Sequence, residues 1–247
     1  MGLLGDVFGW FADPANMWGE RGYVHLIGQH LWLSLVTILA AVAVAVPIGL
    51  VMGHTGKGGG LAINISNIGR ALPSFALLVI FYSAFGLGTT PAFLALFALA
   101  VPPIVTNTYT AIRSVDPEVR EAAEGMGLTG GQVLRRVELP MGIPLIMAGI
   151  RTSSVQVVAT ATLAAYVGGG GLGRLIRSGL ATQNSERLIG GALLVAGLSV
   201  AVELVLGAVQ RAAVPSGLQI GRSGASDTVS ALPGAAAAVG RTTSVTG

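Results

Sequence analysis

The stretch EAAEGMGLTGGQVLRRVELP, Glu121 to Pro140, decides how this chain is organised. It holds three glutamates and two arginines, although only 10% of the whole chain is charged and 52% is hydrophobic. Apolar runs flank it on both sides. A polar segment in this position is typical of a loop that leaves the membrane between two spanning helices. The stretch therefore predicts a hydrophilic insert in a membrane protein.

The composition of the chain supports a membrane location. Mean hydropathy is +0.74, and charged residues fall far below the quarter or so that is usual in soluble domains. The absence of cysteine excludes disulfides, a thiolate nucleophile and cysteine-ligated metals. The net charge is only +3, and the basic residues are scattered between apolar runs, which argues against a nucleic-acid-binding protein.

The uncharged runs locate the membrane spans, because a crossing helix needs about 20 apolar residues. Five spans are predicted: Leu31 to Met52, two within Ala71 to Ile112 separated by the turn GLGTTP at Gly86 to Pro91, Pro140 to about Val167, and Leu188 to about Val209. The sequence thus predicts an all-α integral membrane protein.

The ends of the chain differ from the spans. Residues 1–29 carry Trp10, Phe11 and Trp18 among acidic residues, which predicts an extracytoplasmic or interfacial segment. Residues 30–211 form the predicted transmembrane domain, with the insert at 113–140. Residues 212–247 are rich in Ala, Gly, Ser and Thr, which predicts a disordered cytoplasmic tail.

Lys and Arg are more frequent on one predicted side of the membrane. The side of the insert holds Lys57, Arg70, Arg113, Arg120, Arg135, Arg136 and Arg211, and the other side holds Arg21, Arg174, Arg177 and Arg187. Because cytoplasmic loops carry an excess of Lys and Arg, we expect the insert to be cytoplasmic.

The first half of the insert has the signals of a short helix. Asp116 followed by Pro117 is a helix start, since the carboxylate accepts from free N–H groups and Pro suits the first helical position. The helix is predicted to run from Pro117 to Gly125. Gly125 and Gly127 are expected to take the positive φ that ends it. Ala122 and Ala123 would let this helix approach another surface closely.

A second short helix is predicted to follow. Thr129 with Gln132 three residues later forms a capping box. Leu139-Pro140 is expected to stop this helix where the next span begins.

The insert resembles the EAA signature of ABC-importer permeases with the type I fold. The pattern reads E-A-A, then three residues, G, nine residues, an aliphatic residue, any residue and L-P. In this chain the fixed positions are Glu121, Ala122, Ala123, Gly127, Val137, Leu139 and Pro140. Val137 stands where Ile is commoner. In that family the EAA helix is a coupling helix seated in a cleft of a cytoplasmic ATPase subunit. The resemblance implies this role for these residues.

Other segments look like the osmoprotectant branch of this family, which imports glycine betaine, choline, carnitine or proline. They are ALPSFALL (Ala71 to Leu78), NTYTAIRSVDPEV (Asn107 to Val119) and MAGIRTSSVQVVATATLAAYVGGGGLG (Met147 to Gly173). The resemblance implies three kinds of partner: ATPase subunits, an extracytoplasmic substrate-binding protein and a second permease subunit, of the same or a related chain. No catalytic residue, cofactor or metal is expected, because ATP hydrolysis would take place on the separate ATPase.

A quaternary ammonium substrate would be selected by aromatic faces. Aromatic residues make up only 6% of the chain and form no evident cluster in the sequence. We therefore expect selection on the binding protein.

Two charges fall within predicted spans. Arg151 and Glu203 lie at similar heights above the cytoplasmic face, if each helix rises about 1.5 Å per residue. A charge in the bilayer is costly unless it is paired or faces water. We hypothesise that the two residues form a cross-helix ion pair or line the pathway, and the alternative is that either snorkels to the interface.

The remaining signals are less specific. His25, His30 and His54 lie near predicted span ends and are interpreted as interfacial anchors. Gly49 and Gly53 form a G-x-x-x-G pattern, which permits close helix contact but is frequent by chance among 37 glycines.

Two alternative functions remain open at this point. One is an ion-coupled secondary transporter, which would show intramembrane acids and repeated halves. The other is the permease of an ABC importer for another small solute, such as an amino acid.

Overall fold

The computed structural model describes residues 2–60, 64, 67, 69 and 72–213, and the regular secondary structure in these ranges is helical. In chain order the elements are α1 (Leu3–Ala12), α2 (Pro14–Met17), α3 (Tyr23–Thr55), α4 (Ser74–Phe85), α5 (Thr89–Arg113), α6 (Pro117–Gly125), α7 (Gly130–Val133), a π-helical turn (Leu134–Glu138), α8 (Leu139–Thr160), a 3-10 helix (Ala161–Val167), α9 (Gly173–Ala181) and α10 (Ser185–Ala213). The all-helical fold is confirmed. The predicted tail lies outside the described residues from position 214 onward.

Four helical segments in the described part of the chain are long and apolar enough to cross a membrane: α3, α5, the continuous run Gly130–Val167, and α10. The predicted span at the start of the hairpin is shorter than expected, because α4 has only 12 residues. At about 1.5 Å per residue it is about 18 Å long, against about 30 Å of hydrocarbon. Pro73 precedes its first turn, and Gly86, with φ 74°, follows its last.

The central core lies between α3, α5 and α8, and small residues bring the helices together. A Cβ atom on Gly49 would lie 2.5 Å from Cβ of Thr108, and one on Gly53 would lie 2.6 Å from Cβ of Ile112. The G-x-x-x-G pattern therefore marks a place where α3 packs closely against α5. Four residues further along α3, the contact lies four residues further along α5. The two helices therefore run parallel, and their amino ends lie at the same end of the bundle.

The N-terminal segment packs on the last helix. Trp10 is only 7% exposed, and a Cβ on Gly190 of α10 would lie 2.7 Å from its ring. Phe11 and Tyr23 surround the same ring. Trp10 thus attaches this segment to the protein, whereas Trp18 is 65% exposed.

His30 joins α3 to the opposite wall of the bundle. It is 1% exposed, and its Nε2 lies 2.8 Å from the carbonyl oxygen of Val158. Its Nδ1 accepts from the N–H of Leu172 at 3.3 Å. The interpretation of His30 as an interfacial anchor is therefore wrong. A buried imidazole must have hydrogen-bond partners, and the bundle supplies one for each ring nitrogen.

Candidate coupling site

The helix α6 has the boundaries that its sequence predicts. The Asp116 carboxylate accepts from the N–H of Glu118 at 2.9 Å, and Pro117 is the first helical residue. The chain leaves the helix through Gly127, which has φ 85°. The expectation of positive φ at Gly125 is wrong, because this glycine remains in the last turn of the helix.

The capping box at the start of α7 is also confirmed. The N–H of Thr129 donates to Oε1 of Gln132 at 2.8 Å, and the Thr129 side chain accepts in return from the third residue of the helix. Two backbone groups that a helix end leaves free are thereby satisfied. The connection between α6 and α7 is fixed by local hydrogen bonds.

The sequence predicts that the helix stops at Leu139-Pro140, and this prediction is wrong. The helix continues from Gly130 to Val167 through the π-helical turn Leu134–Glu138. In this turn the N–H of Leu139 bonds to the carbonyl of Leu134, five residues earlier. A wider turn placed immediately before a proline accommodates the missing donor. The second half of the insert, from Gly130, therefore forms one continuous helical rod with α8.

The residues of the EAA signature divide into outward and inward positions. Glu121, Ala122 and Gly127 are exposed, whereas Ala123 is only 2% exposed. Ala123 therefore packs against the protein's own fold, and of the two alanines Ala122 is the one open to a partner. Val137, Leu139 and Pro140 are half-buried. The outward side of α6 extends to Met126, which is 74% exposed.

A buried carboxylate holds α6 against the rest of the protein. Glu138, in the π-helical turn, is 1% exposed, and its Oε1 lies 3.1 Å from Nε of Arg120 in α6. Its Oε2 lies 2.7 Å from Nδ1 of His54, in the last turn of α3. A carboxylate only accepts, so Nδ1 of His54 carries the hydrogen in this contact. Arg120 also donates to the carbonyl of Ile112 in α5.

We call Glu138, Arg120 and His54 the Glu138 cluster. It connects α3, α5, α6 and the π-helical turn at one point, so that α6 is anchored to three spanning segments. Burial without partners would cost such a carboxylate several kcal/mol, and here both oxygens have partners.

Sequence reasoning missed this cluster. His54 was interpreted as an interfacial anchor, and Glu138 and Arg120 received no role. One signal was present: Glu138 lies four residues after Leu134, on the same side of the helix as this apolar residue. An acid on an apolar helix face needs a buried partner. Its partners could not be named, since His54 is 84 residues away in the chain.

The second charged site lies between α8 and α10. Nε of Arg151 is 3.3 Å from Oε1 of Glu203, and the two side chains are 33% and 45% exposed. Nearby, the Gln210 side-chain amide donates to the carbonyl of Pro144 at 3.0 Å. A Cβ on Gly207 would lie 3.5 Å from Nη1 of Arg151. The pair thus links two helices but remains largely open on one side.

Comparison with known proteins places this architecture among transport components. A family model described as "Binding-protein-dependent transport system inner membrane component" matches residues 45–216. The glycine betaine/carnitine/choline transport system permease protein OpuCB of Bacillus subtilis is 44% identical over 192 residues, covering 78% of this chain and 88% of that protein. The carnitine transport permease protein OpuCB of Listeria monocytogenes is 40% identical over 207 residues, covering 83% and 95%.

A solved structure supports the same fold. A chain of the inward-facing MetNI methionine ABC transporter superposes with a TM-score of 0.69, covering 78% of this chain and 96% of that chain. The sequence identity is 22%, so the likeness concerns the fold.

Proposed function

The chain belongs to the family of binding-protein-dependent transport system inner membrane components, and we propose that it imports osmoprotectants of the glycine betaine, choline and carnitine class. It is a multi-pass permease subunit of an ABC importer. This membership removes the ion-coupled secondary transporter as an alternative. The substrate class is supported by relatives whose names specify glycine betaine, carnitine and choline, at 40–44% identity.

The proposed mechanism rests on one observation: α6 has an exposed face, and the buried Glu138 cluster holds the same helix against the spans. Glu121, Ala122 and Met126 point away from the chain, with no bulky neighbour of their own fold covering them. Ala122 offers little side chain, so a partner surface can approach the helix backbone closely. We assign this face to a cleft of a cytoplasmic ATPase subunit, with Glu121 at its edge.

The Glu138 cluster would transmit displacement of α6 to the spans. A movement of the helix carries Arg120, which is held to Glu138 at 3.1 Å. Glu138 belongs to the continuous rod that becomes α8, and it also holds His54 at the end of α3. The helix therefore cannot move without moving the cytoplasmic ends of two spans.

The transport cycle follows from this linkage. A loaded binding protein docks on the extracytoplasmic side, and ATP closes the paired ATPase subunits. Their approach draws together the α6 helices of two permease subunits, which are two copies of this chain or this chain with a related one. The spans then open outward, and hydrolysis resets them.

Reconstituted transport tests the proposal. The chain is purified with its ATPase subunit, placed in proteoliposomes, and supplied with the substrate-binding protein. Uptake of labelled glycine betaine, choline, carnitine and proline is measured with ATP and with a non-hydrolysable analogue, and methionine serves as the amino-acid control. We expect ATP-dependent uptake of at least one quaternary ammonium compound and none of methionine. Uptake that does not depend on ATP, or that is confined to amino acids, would overturn the proposal.

A further inference from the structure

A cavity of about 480 Å³ opens at the end of the bundle opposite α6. Its walls come from the amino-terminal half of α3, the start of α5, the glycine turn at 168–170 and the start of α9. The lining residues used below are Gln29, Trp32, Thr89, Thr90, Phe93 and Arg174. The volume lies within the range of small-molecule sites, about 300–1,000 Å³.

Hydrogen bonds hold the walls of this cavity in place. Oε1 of Gln29 accepts from the N–H of Gly171 at 3.2 Å, which ties the glycine turn to α3. The N–H of Gly88 donates to the carbonyl of Val167 at 2.7 Å, which ties the start of α5 to the same turn. Gly170 has φ 81°, and a Cβ there would lie 2.7 Å from Oε1 of Gln29. The cavity is therefore preformed.

Two aromatic side chains that are far apart in the sequence, Trp32 and Phe93, line this cavity. Trp32 is 70% exposed, and Phe93 is half-buried and stacks on Phe97 at 5.9 Å. The sequence does not show this arrangement, because it depends on α3 and α5 lying side by side. Aromatic faces, and Trp above all, attract quaternary ammonium groups.

The same cavity also offers groups for an anion. Within the described part of the chain, the Arg174 guanidinium makes no hydrogen bond or ion pair. At Thr89 and Thr90 the first turn of α5 has no side-chain cap, so N–H groups at its positive end are free. An arginine fork matches a carboxylate in geometry and charge.

We propose that this cavity is a binding site, within the permease itself, for a zwitterion that carries a quaternary ammonium group and a carboxylate. Trp32 and Phe93 face the ammonium group, and Arg174 with the start of α5 binds the carboxylate. The site would receive solute released by the binding protein. This inference rests on the proposed substrate class and adds a second point of selection.

Two probe compounds separate the contributions of these residues. Glycine betaine has both groups, whereas choline has the ammonium group and no carboxylate. Binding of each labelled compound is measured by equilibrium dialysis on the permease–ATPase complex, without the binding protein and at millimolar concentrations. The variants are W32L, W32F and R174Q. The matched controls are W18L and R177Q, at exposed positions that do not line this cavity.

The expected pattern differs between the probes. W32L weakens binding of both compounds about tenfold, and W32F by about threefold at most, since a ring face remains. R174Q weakens glycine betaine about tenfold and changes choline less than twofold. The controls bind both compounds as the wild type does. Assembly of each variant with the ATPase is checked by size-exclusion chromatography.

Three results would overturn the inference and leave the proposed function standing. The first is ATP-driven uptake of glycine betaine by the full importer with no binding to the wild-type permease–ATPase complex. The second is a loss of binding in R174Q that is equal for both probes. The third is a loss of binding in W18L that is as large as in W32L. Failure of the proposed function looks different, since the full importer then takes up neither compound.

Discussion

The Glu138 cluster and the Arg151–Glu203 pair are both contacts between a carboxylate and an arginine, but they differ in burial. Glu138 is 1% exposed, and each of its oxygens has a charged or ionisable partner. Arg151 and Glu203 are 33% and 45% exposed and share one contact at 3.3 Å. The first joins the insert to the spans, and the second joins two spans to each other.

This difference indicates two mechanical roles. A buried carboxylate cannot exchange its partners for water, so loss of one partner is expensive, about 3–5 kcal/mol. A partly open polar contact between two membrane helices is worth about 1 kcal/mol or less and can rearrange. We infer that the Glu138 cluster moves as a rigid unit, whereas the Arg151–Glu203 contact can break and reform while α8 and α10 shift.

The largest effect is expected at the buried cluster. E138A leaves Arg120 without its buried carboxylate partner and should reduce stability by about 3–5 kcal/mol. The measurement is denaturant unfolding of the detergent-solubilised protein. E124A, at an exposed position on α6, is the matched control and should change stability by less than about 0.5 kcal/mol. Equal stability of E138A and E124A would show that the cluster is not a rigid connection.

The local shape of the insert could be predicted from the sequence, because neighbouring residues determine it. Asp116-Pro117 fixed the start of α6, and the Thr129–Gln132 capping box fixed the start of α7. Both depend on hydrogen bonds within three residues, and the chain alone shows them.

Features that depend on tertiary packing were missed. The helix passes Pro140 because a π-helical turn precedes it, and α4 is short because Pro73 and Gly86 lie closer together than a span requires. The partners of Glu138, and the cavity that Trp32 and Phe93 both line, bring together distant parts of the chain. No periodicity or local motif specifies such contacts.

An intermediate effect is expected at the turn after α6. G127A places a side chain at φ 85°, in the left-handed region, and should cost about 1–2 kcal/mol. G125A is a matched variant, because its position is helical and should gain up to about 1 kcal/mol. A Cβ at either position would meet no atom within 4 Å, so only the backbone conformation differs. The comparison uses the same unfolding measurement, and equal stability of the two variants would contradict a rigid turn.

The smallest effect is expected at the open pair. In a double-mutant cycle of R151A and E203A, the coupling energy should be about 1 kcal/mol or less. Unfolding of the four proteins measures it. A coupling energy of about 3 kcal/mol or more would place this pair in the same class as the Glu138 cluster and remove the contrast between the two sites.

We propose that the exposed face of α6 contacts the ATPase. The chain has no cysteine, so a single cysteine can be placed at Ala122, which is exposed, or at Ala123, which is 2% exposed on the same helix. A short crosslinker with a thiol-reactive end and a photoreactive end is then attached to this cysteine, in native membranes in which transport is active, and is activated by light. We predict that A122C is captured with the nucleotide-hydrolysing subunit and that A123C is not. Absence of capture at A122C, or equal capture at both positions, would contradict the account.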